Sequence, residues 1–358
     1  MTEDPEKEAL SFIMDIDSGA KVTLLYHGDG DGVCSAVMVY KCLQRRGISN
    51  INPLPLERGE NPFSERTTAK INGSDPDFLV VLDSGSRRGT FHNIRSLVID
   101  HHVPDSVPEV EVFFNTWVDK TNRITSEAVF DLVKRIIPED DIRWYSLTGT
   151  GADAGLSKAF SRYAGKEKKY GNKEIQECIS LINASRRHCS FRIAEVFNLL
   201  VRSTSPSMFI AAAKRAGIDK LREELKLELK KNLKIAPVFS SFFVLFQLNS
   251  PHQIHPLIAS IWSVKLNRYV VIAANWGYLP GKVSFSMRTE SGKDLLVLLK
   301  KYRKKGEEIG FGHSKATGGI VKEEVFRDFL RRLGFKPKLL HPKPPDVHRG
   351  TLGSHNVT

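Results

Sequence analysis

The chain has 358 residues, 41% hydrophobic and 26% charged, an ordinary globular composition at a length that exceeds one core and predicts two domains. No apolar run approaches the ~20 residues that span a bilayer, and the acidic start Met1-Thr2-Glu3-Asp4-Pro5-Glu6 is no signal peptide, so membrane and secreted classes are excluded and an intracellular, cytoplasmic protein is expected. A formal charge of +12 with a pI near 9.4 points to a polyanionic partner, because positive potential concentrates phosphates.

In chain order, a strand over Val22 to Tyr26 runs into His27-Gly28-Asp29-Gly30-Asp31-Gly32. A helix over Val33 to Arg46 follows, with Ala36, Val37, Tyr40 and Leu43 at helical spacing and Gly47 as its stop. Residues 53 to 77, punctuated by Pro53, Pro55, Gly59, Pro62, Gly73 and Pro76, read as an irregular connection with one short helix. Strands then end at Asp83-Ser84-Gly85 (Phe78 to Leu82) and at Asp100-His101-His102 (Ser96 to Ile99). Residues 126 to 137 form a helix before Pro138, and Lys173 to Lys234 is helical throughout, closing in a charged helix from Asp219 with Leu221, Leu225, Leu229 and Leu233 as its packing stripe. A new unit begins near Pro237, with strands over Phe239 to Leu248, Tyr269 to Ala274 and Lys282 to Met287, and helices over Lys293 to Lys304 and Glu323 to Leu333. Residues 336 to 358, rich in Pro, Lys and His, read as a flexible basic tail.

Three strand-like runs that each stop at an acid carry the functional message. Functional groups gather beyond the carboxyl ends of a parallel sheet, so Asp29, Asp31, Asp83, His101 and His27 converge, and such a cluster can hold two divalent ions. An EF-hand is disfavoured because the twelfth position from Asp29 is Tyr40 rather than Glu. A dinucleotide cradle is disfavoured because the acids between Gly28, Gly30 and Gly32 repel a pyrophosphate. Asp100 beside the histidines suits the carboxylate partner that fixes an imidazole tautomer. Cys34, Cys42, Cys178 and Cys189 lack zinc or disulfide spacing and read as reduced core residues in a reducing compartment.

These residues, with the later Gly149-Thr150-Gly151-Ala152-Asp153, resemble in order the motifs of the DHH phosphoesterase superfamily, and Gly310-Phe311-Gly312-His313-Ser314-Lys315-Ala316-Thr317-Gly318-Gly319 is similar to the Gly-rich signature of the DHH-associated substrate domain. Leu181-Ile182-Asn183-Ala184-Ser185-Arg186-Arg187 resembles the Ile-Asn-Ala-x-Gly-Arg segment of RecJ-type nucleases, with Arg186 where a Gly stands. His27 lies two residues before Asp29, as in the nuclease-like branch. Phe311 replaces the middle glycine of the C-terminal signature, where a ring stacks on a base or packs inward.

The resemblance implies an α/β fold with a parallel-sheet DHH domain (1–170), a helical block and linker (171–236), a smaller α+β substrate domain (237–335) and a tail (336–358). It implies two divalent ions, manganese preferred and magnesium usable, bridged by Asp83. Asp29 and His27 would complete one site, and Asp31, His101 and Asp153 the other. His102 would contact the scissile phosphate while Asp100 orients the histidines. Asn183, Arg187, Arg288, Gly312, His313, Gly318 and Gly319 would bind substrate in the cleft between domains. The expected activity is exonucleolytic hydrolysis of single-stranded DNA or RNA to mononucleotides, with a replication or repair protein as a candidate partner. A scavenger of short oligoribonucleotides, a phosphatase for pyrophosphate or a cyclic dinucleotide, and a replication scaffold are the alternatives.

Overall fold

Every residue of Val22–Tyr26 and of Phe78–Leu82 is buried, as in strands covered on both faces of a parallel sheet. The computed structural model describes residues 4–162, 170–305, 307 and 309–337, the Phe311 side chain excepted. It divides into two units, one ending at Glu223 and one beginning at Glu224.

The first unit contains, in order, α1 (Pro5–Asp15), β1 (Val22–Tyr26), α2 (Gly30–Arg45), β2 (Ile51–Pro55), α3 (Glu65–Gly73), β3 (Phe78–Leu82), β4 (Arg95–Asp100) and β5 (Val112–Asn115). Helices α4 (Thr125–Val133), α5 (Glu139–Ala154), α6 (Leu156–Arg162), α7 (Asn172–Arg187), α8 (Ile193–Val201) and α9 (Pro206–Arg215) follow, and α10 (Ile218–Asn232) crosses the division. The strands form one parallel sheet in the order β2-β1-β3-β4-β5. Period-two alternation splits the strand residues between two cores: Val22, Leu24, Val80, Leu82 and Ile99 pack with the helices α2, α4, α5 and α7, while Leu25, Leu79, Val81 and Val98 join Leu56, Ile71 and Phe91 on the other face. Strand order reverses between β1 and β3, so the crevice beyond their carboxyl ends is the switch point of the sheet.

Residues 53 to 77 are more regular than their prolines suggest. Strand β2 runs through Pro53 and Pro55, because an edge strand leaves one row of N–H groups unpaired and tolerates residues that lack them. The sequence pattern also leaves α1 and β5 unmarked, and α4 stops at Val133 rather than at residue 137. Of the four cysteines expected in the core, Cys34, Cys42 and Cys178 are buried, but Cys189, just past the end of α7, is exposed.

The second unit contains β6 (Val238–Ser240), β7 (Phe243–Leu248), α11 (His255–Lys265), β8 (Val270–Leu279), β9 (Lys282–Thr289), α12 (Leu295–Tyr302), β10 (Phe311–His313), β11 (Ala316–Lys322) and α13 (Glu323–Arg332). Its sheet has the order β10-β11-β9-β8-β7-β6, with β7 and β8 parallel across the α11 connection and the other pairs antiparallel. Phe243, Ile272, Phe285, Phe326 and Phe329 fill its core. The single strand expected over Phe239 to Leu248 is broken at Ser241, whose φ is +51°, and α11, β10 and β11 were not expected. The expected tail lies outside the described residues from 338 onward. Among the described residues no helix is long and apolar enough to cross a membrane.

Candidate metal centre

The exit of β1 is fixed by its neighbour: the His27 amide donates to the Leu82 carbonyl at 3.1 Å. Two residues on, Asp29 caps α2 and accepts from the Gly32 amide at 3.1 Å, so the cap that starts the helix also holds a carboxylate at the switch point. His27 Nδ1 lies 3.0 Å from Asp29 Oδ2 and 3.3 Å from Asp83 Oδ2. Asp83 follows β3 with φ +60°, a left-handed conformation that Asp tolerates better than most residues, while its amide stays bonded to the Ile99 carbonyl. Buried Asp31 is held from the side by the start of α4, accepting the amides of Thr125 at 3.0 Å and Ser126 at 2.8 Å, and Thr125 Oγ1 donates to Asp83 Oδ1.

The end of β4 supplies the other side. His101 Nε2 sits 3.4 Å from Asp83 Oδ1 and 3.9 Å from both Asp31 Oδ2 and Asp153 Oδ2. Asp153 comes from α5, which approaches closely because a Cβ on Gly149 would fall 2.4 Å from Ser126 Oγ. Buried Asp100 accepts from the Ser86 amide and hydroxyl, from the amides of His101 and His102, and from His102 Nδ1 at 2.7 Å. Asn115 donates to Ser86 Oγ and to the His102 carbonyl, which anchors this turn to β5. With Nδ1 spent on Asp100, His102 has Nε2 left for another partner.

Charge is strained throughout this cluster. Burial raises the Asp31 carboxyl well above its ordinary range, and Asp83 adds to the effect. Burial opposes a charged Asp29 too, but His27 and Arg186 hold it well below that range. The histidines go the other way: burial disfavours their charge, yet Asp29 and Asp83 lift His27 to about 9, Asp83, Asp31 and Asp153 lift His101 to about 10, and Asp100 lifts His102 to about 9. Against the same cost of burial, His102 and Ser86 bring Asp100 down to about 2.

The donor set suits a divalent cation. Ligand atoms of His27, Asp29 and Asp83 lie within 4.8 Å of one another, as do those of Asp83, His101 and His102. His101 Nε2 is buried with no hydrogen-bond partner, facing three carboxylates. Carboxylate oxygens with imidazole nitrogen fit manganese or magnesium better than soft-ligand metals.

Residues 21–156 match the model of the DHH family, N-terminal domain. The chain carries a DHH-family domain. No curated protein matches it by sequence. Among solved structures it is similar to RecJ from Thermus thermophilus in complex with Mn2+, at 16% identity and a TM-score of 0.69, over 96% of this chain and 56% of that one. It is also similar to an exonuclease RecJ bound to manganese, at 15% identity and 0.62, over 96% of each chain. The DHH domain of a member of the s1p family of ribosomal proteins matches at 16% identity and 0.69, over 92% of this chain and 90% of that one. The chain thus spans little more than half the length of the Thermus RecJ, and these likenesses establish a shared fold.

The remaining candidates lie around the DHH domain or in the second unit. Asn183, Arg186 and Arg187 share one face of α7 at helical spacing, each half-buried. Arg187 makes no ion pair among the described residues, and burial and Arg186 lower its pKa to about 10. Arg186, which the sequence marks only as a departure from a glycine, points to the centre: Nη2 is 3.3 Å from His27 Nε2 and Nη1 is 3.5 Å from Asp29 Oδ2. Arg288 lies inside β9 rather than past its end, with Nη1 bonded to Ser286 Oγ and the Met287 and Thr317 carbonyls, and burial lowers its pKa. His313 is exposed at the end of β10. At Gly312, Gly318 and Gly319 the backbone packs closely: a Cβ would lie 2.3, 2.6 and 2.2 Å from the carbonyl oxygens of Ala316, Phe285 and Ile309. Sequence reasoning missed Ser86, Asn115, Thr125 and Ser126; the only local signal was Thr125-Ser126-Glu127, a pattern suited to a helix start.

Proposed function

We propose that the protein is a metal-dependent phosphodiesterase that shortens single-stranded DNA or RNA from an end, releasing mononucleotides, with two divalent ions and manganese preferred. The observation that carries this reading is Asp83, which offers one carboxylate oxygen to His27 and the other toward His101. Asp83 would bridge, with Asp29 and His27 completing one site and Asp31, His101 and Asp153 the other. When bound, the ions supply an activated water and neutralise charge on the phosphate. His102, fixed through Nδ1 by Asp100, presents Nε2 to a phosphate oxygen and can pass a proton to the leaving oxygen. Arg187 and Arg288, which bear charges without an ion pair among the described residues, are suited to flanking phosphates, and the exposed His313 to the adjoining nucleotide. The formal charge of +12 gives a strand the steering that a small substrate would not need.

Manganese-dependent digestion of end-labelled DNA and RNA strands of several lengths tests this, with products sized. Mononucleotides from long strands are expected. Cleavage confined to very short oligomers would favour the scavenger, and cleavage of pyrophosphate or a cyclic dinucleotide alone the phosphatase.

A further inference from the structure

Among the described residues, only the His27–Asp29 half of the centre contains a fixed cation. The Arg186 side chain is 24% exposed, and its guanidinium enters the His27–Asp29 half at 3.3 and 3.5 Å from the two residues. A guanidinium keeps its charge at ordinary pH, so it sets a fixed positive charge where an ion would sit, 3.5 Å from Asp29 Oδ2 and 3.3 Å from His27 Nε2. Around Asp31, Asp83 and Asp153 no Lys or Arg ion pair exists among the described residues, and His101 Nε2 is buried without a hydrogen bond.

We propose that Arg186 competes with a divalent ion for the His27–Asp29 half, so that the two halves load unequally: the Asp31–His101 half tightly, the His27–Asp29 half weakly. This rests on the reading that the centre takes two ions. The physical basis is like-charge repulsion at a few ångströms in a partly buried site, where screening by water is weak. Arg186 is thus a residue that sets metal demand, separate from those that hold the metal.

Calorimetric titration of the full chain with Mn2+, with electron paramagnetic resonance of free Mn2+ as a second readout, compares wild type, Arg186→Ala and Arg186→Lys. Wild type should bind one ion at least about tenfold more tightly than the other. Arg186→Ala should tighten the weaker ion about tenfold or more and leave the tighter one within about twofold, while Arg186→Lys, which keeps the charge, should retain most of the gap. Thermal melts establish that each variant is folded, and Arg186→Gln replaces Arg186→Ala, under the same expectations, if it is not. A weaker ion whose affinity is unchanged or lowered in the neutral variant overturns the competitor role while leaving the metal centre standing. Failure of all the proteins to bind any ion overturns the metal-centre reading and this proposal with it.

Discussion

Protons would compete with a metal ion for the same atoms in this cluster. His27 and His101 have pKa values raised to about 9 and about 10 by the carboxylates around them, and a protonated imidazole cannot ligate. Binding of Mn2+ at pH 7.5 should therefore release at least one proton, measurable by calorimetry in two buffers of different ionisation enthalpy. Zero release would remove the histidines from the ligand set. The sign for stability follows from the same shifts. A histidine raised above its unfolded value near 6.5 stabilises the metal-free fold fully below that pH, and the contribution is lost as pH rises through 9 to 10. Metal-free protein should thus melt at progressively lower temperature across this interval, while the rise in melting temperature caused by Mn2+ grows; parallel curves with and without metal would contradict the linkage. At this scale Asp29, Asp31, Asp83, Asp100 and the histidines were legible because they follow strand ends, and Asp153, on α5, only through its motif; their side chains lie close together in the structure. Arg186, Ser86 and Asn115 were not, because their roles depend on neighbours 159, 14 and 13 positions away in the chain.

Elements announce themselves when pattern and burial agree. Strands β1, β3 and β4 are apolar on both faces and β-branched, and α2 follows a clear helical period, so all four could be read directly. Strand β2 was hidden by its prolines, and β5 is only four residues long. The glycines of the fourth motif were legible as a motif but not as packing: Gly149 is where α5 meets Ser126. Gly149→Ala puts a methyl 2.4 Å from Ser126 Oγ and should destabilise the protein by about 1–3 kcal/mol in chemical denaturation, as overpacking does. An unchanged midpoint would mean that α5 shifts freely and does not fix Asp153. The polar face of α7 supports a second expectation. Arg187→Ala should weaken long strands more than dinucleotides, since only a long strand extends past the reacting phosphate, whereas Arg288→Ala should weaken both by about 1.5–3 kcal/mol, the worth of a charge-assisted hydrogen bond. Equal losses on long and short substrates for Arg187→Ala would favour the short-oligomer reading.

For the whole molecule, the excess of 53 Lys and Arg over 41 Asp and Glu acquires meaning only beside an acidic centre, which repels a phosphodiester until cations neutralise it. Strand affinity should therefore fall with salt, with a logarithmic slope near 0.7 per phosphate neutralised on single strands. A flat response with tight dinucleotide binding would assign the charge to solubility. The most direct test of the central claim is hydrolysis of an end-labelled single strand by chelator-treated protein, with and without added Mn2+, for wild type and Asp83→Asn. A neutral amide cannot bridge two cations, so wild type should release mononucleotides only with Mn2+, and the folded variant should retain less than about a hundredth of that rate, a loss of at least ~3 kcal/mol in transition-state stabilisation. Metal-independent cleavage, or a folded Asp83→Asn protein that cuts at near wild-type rate, would contradict the account.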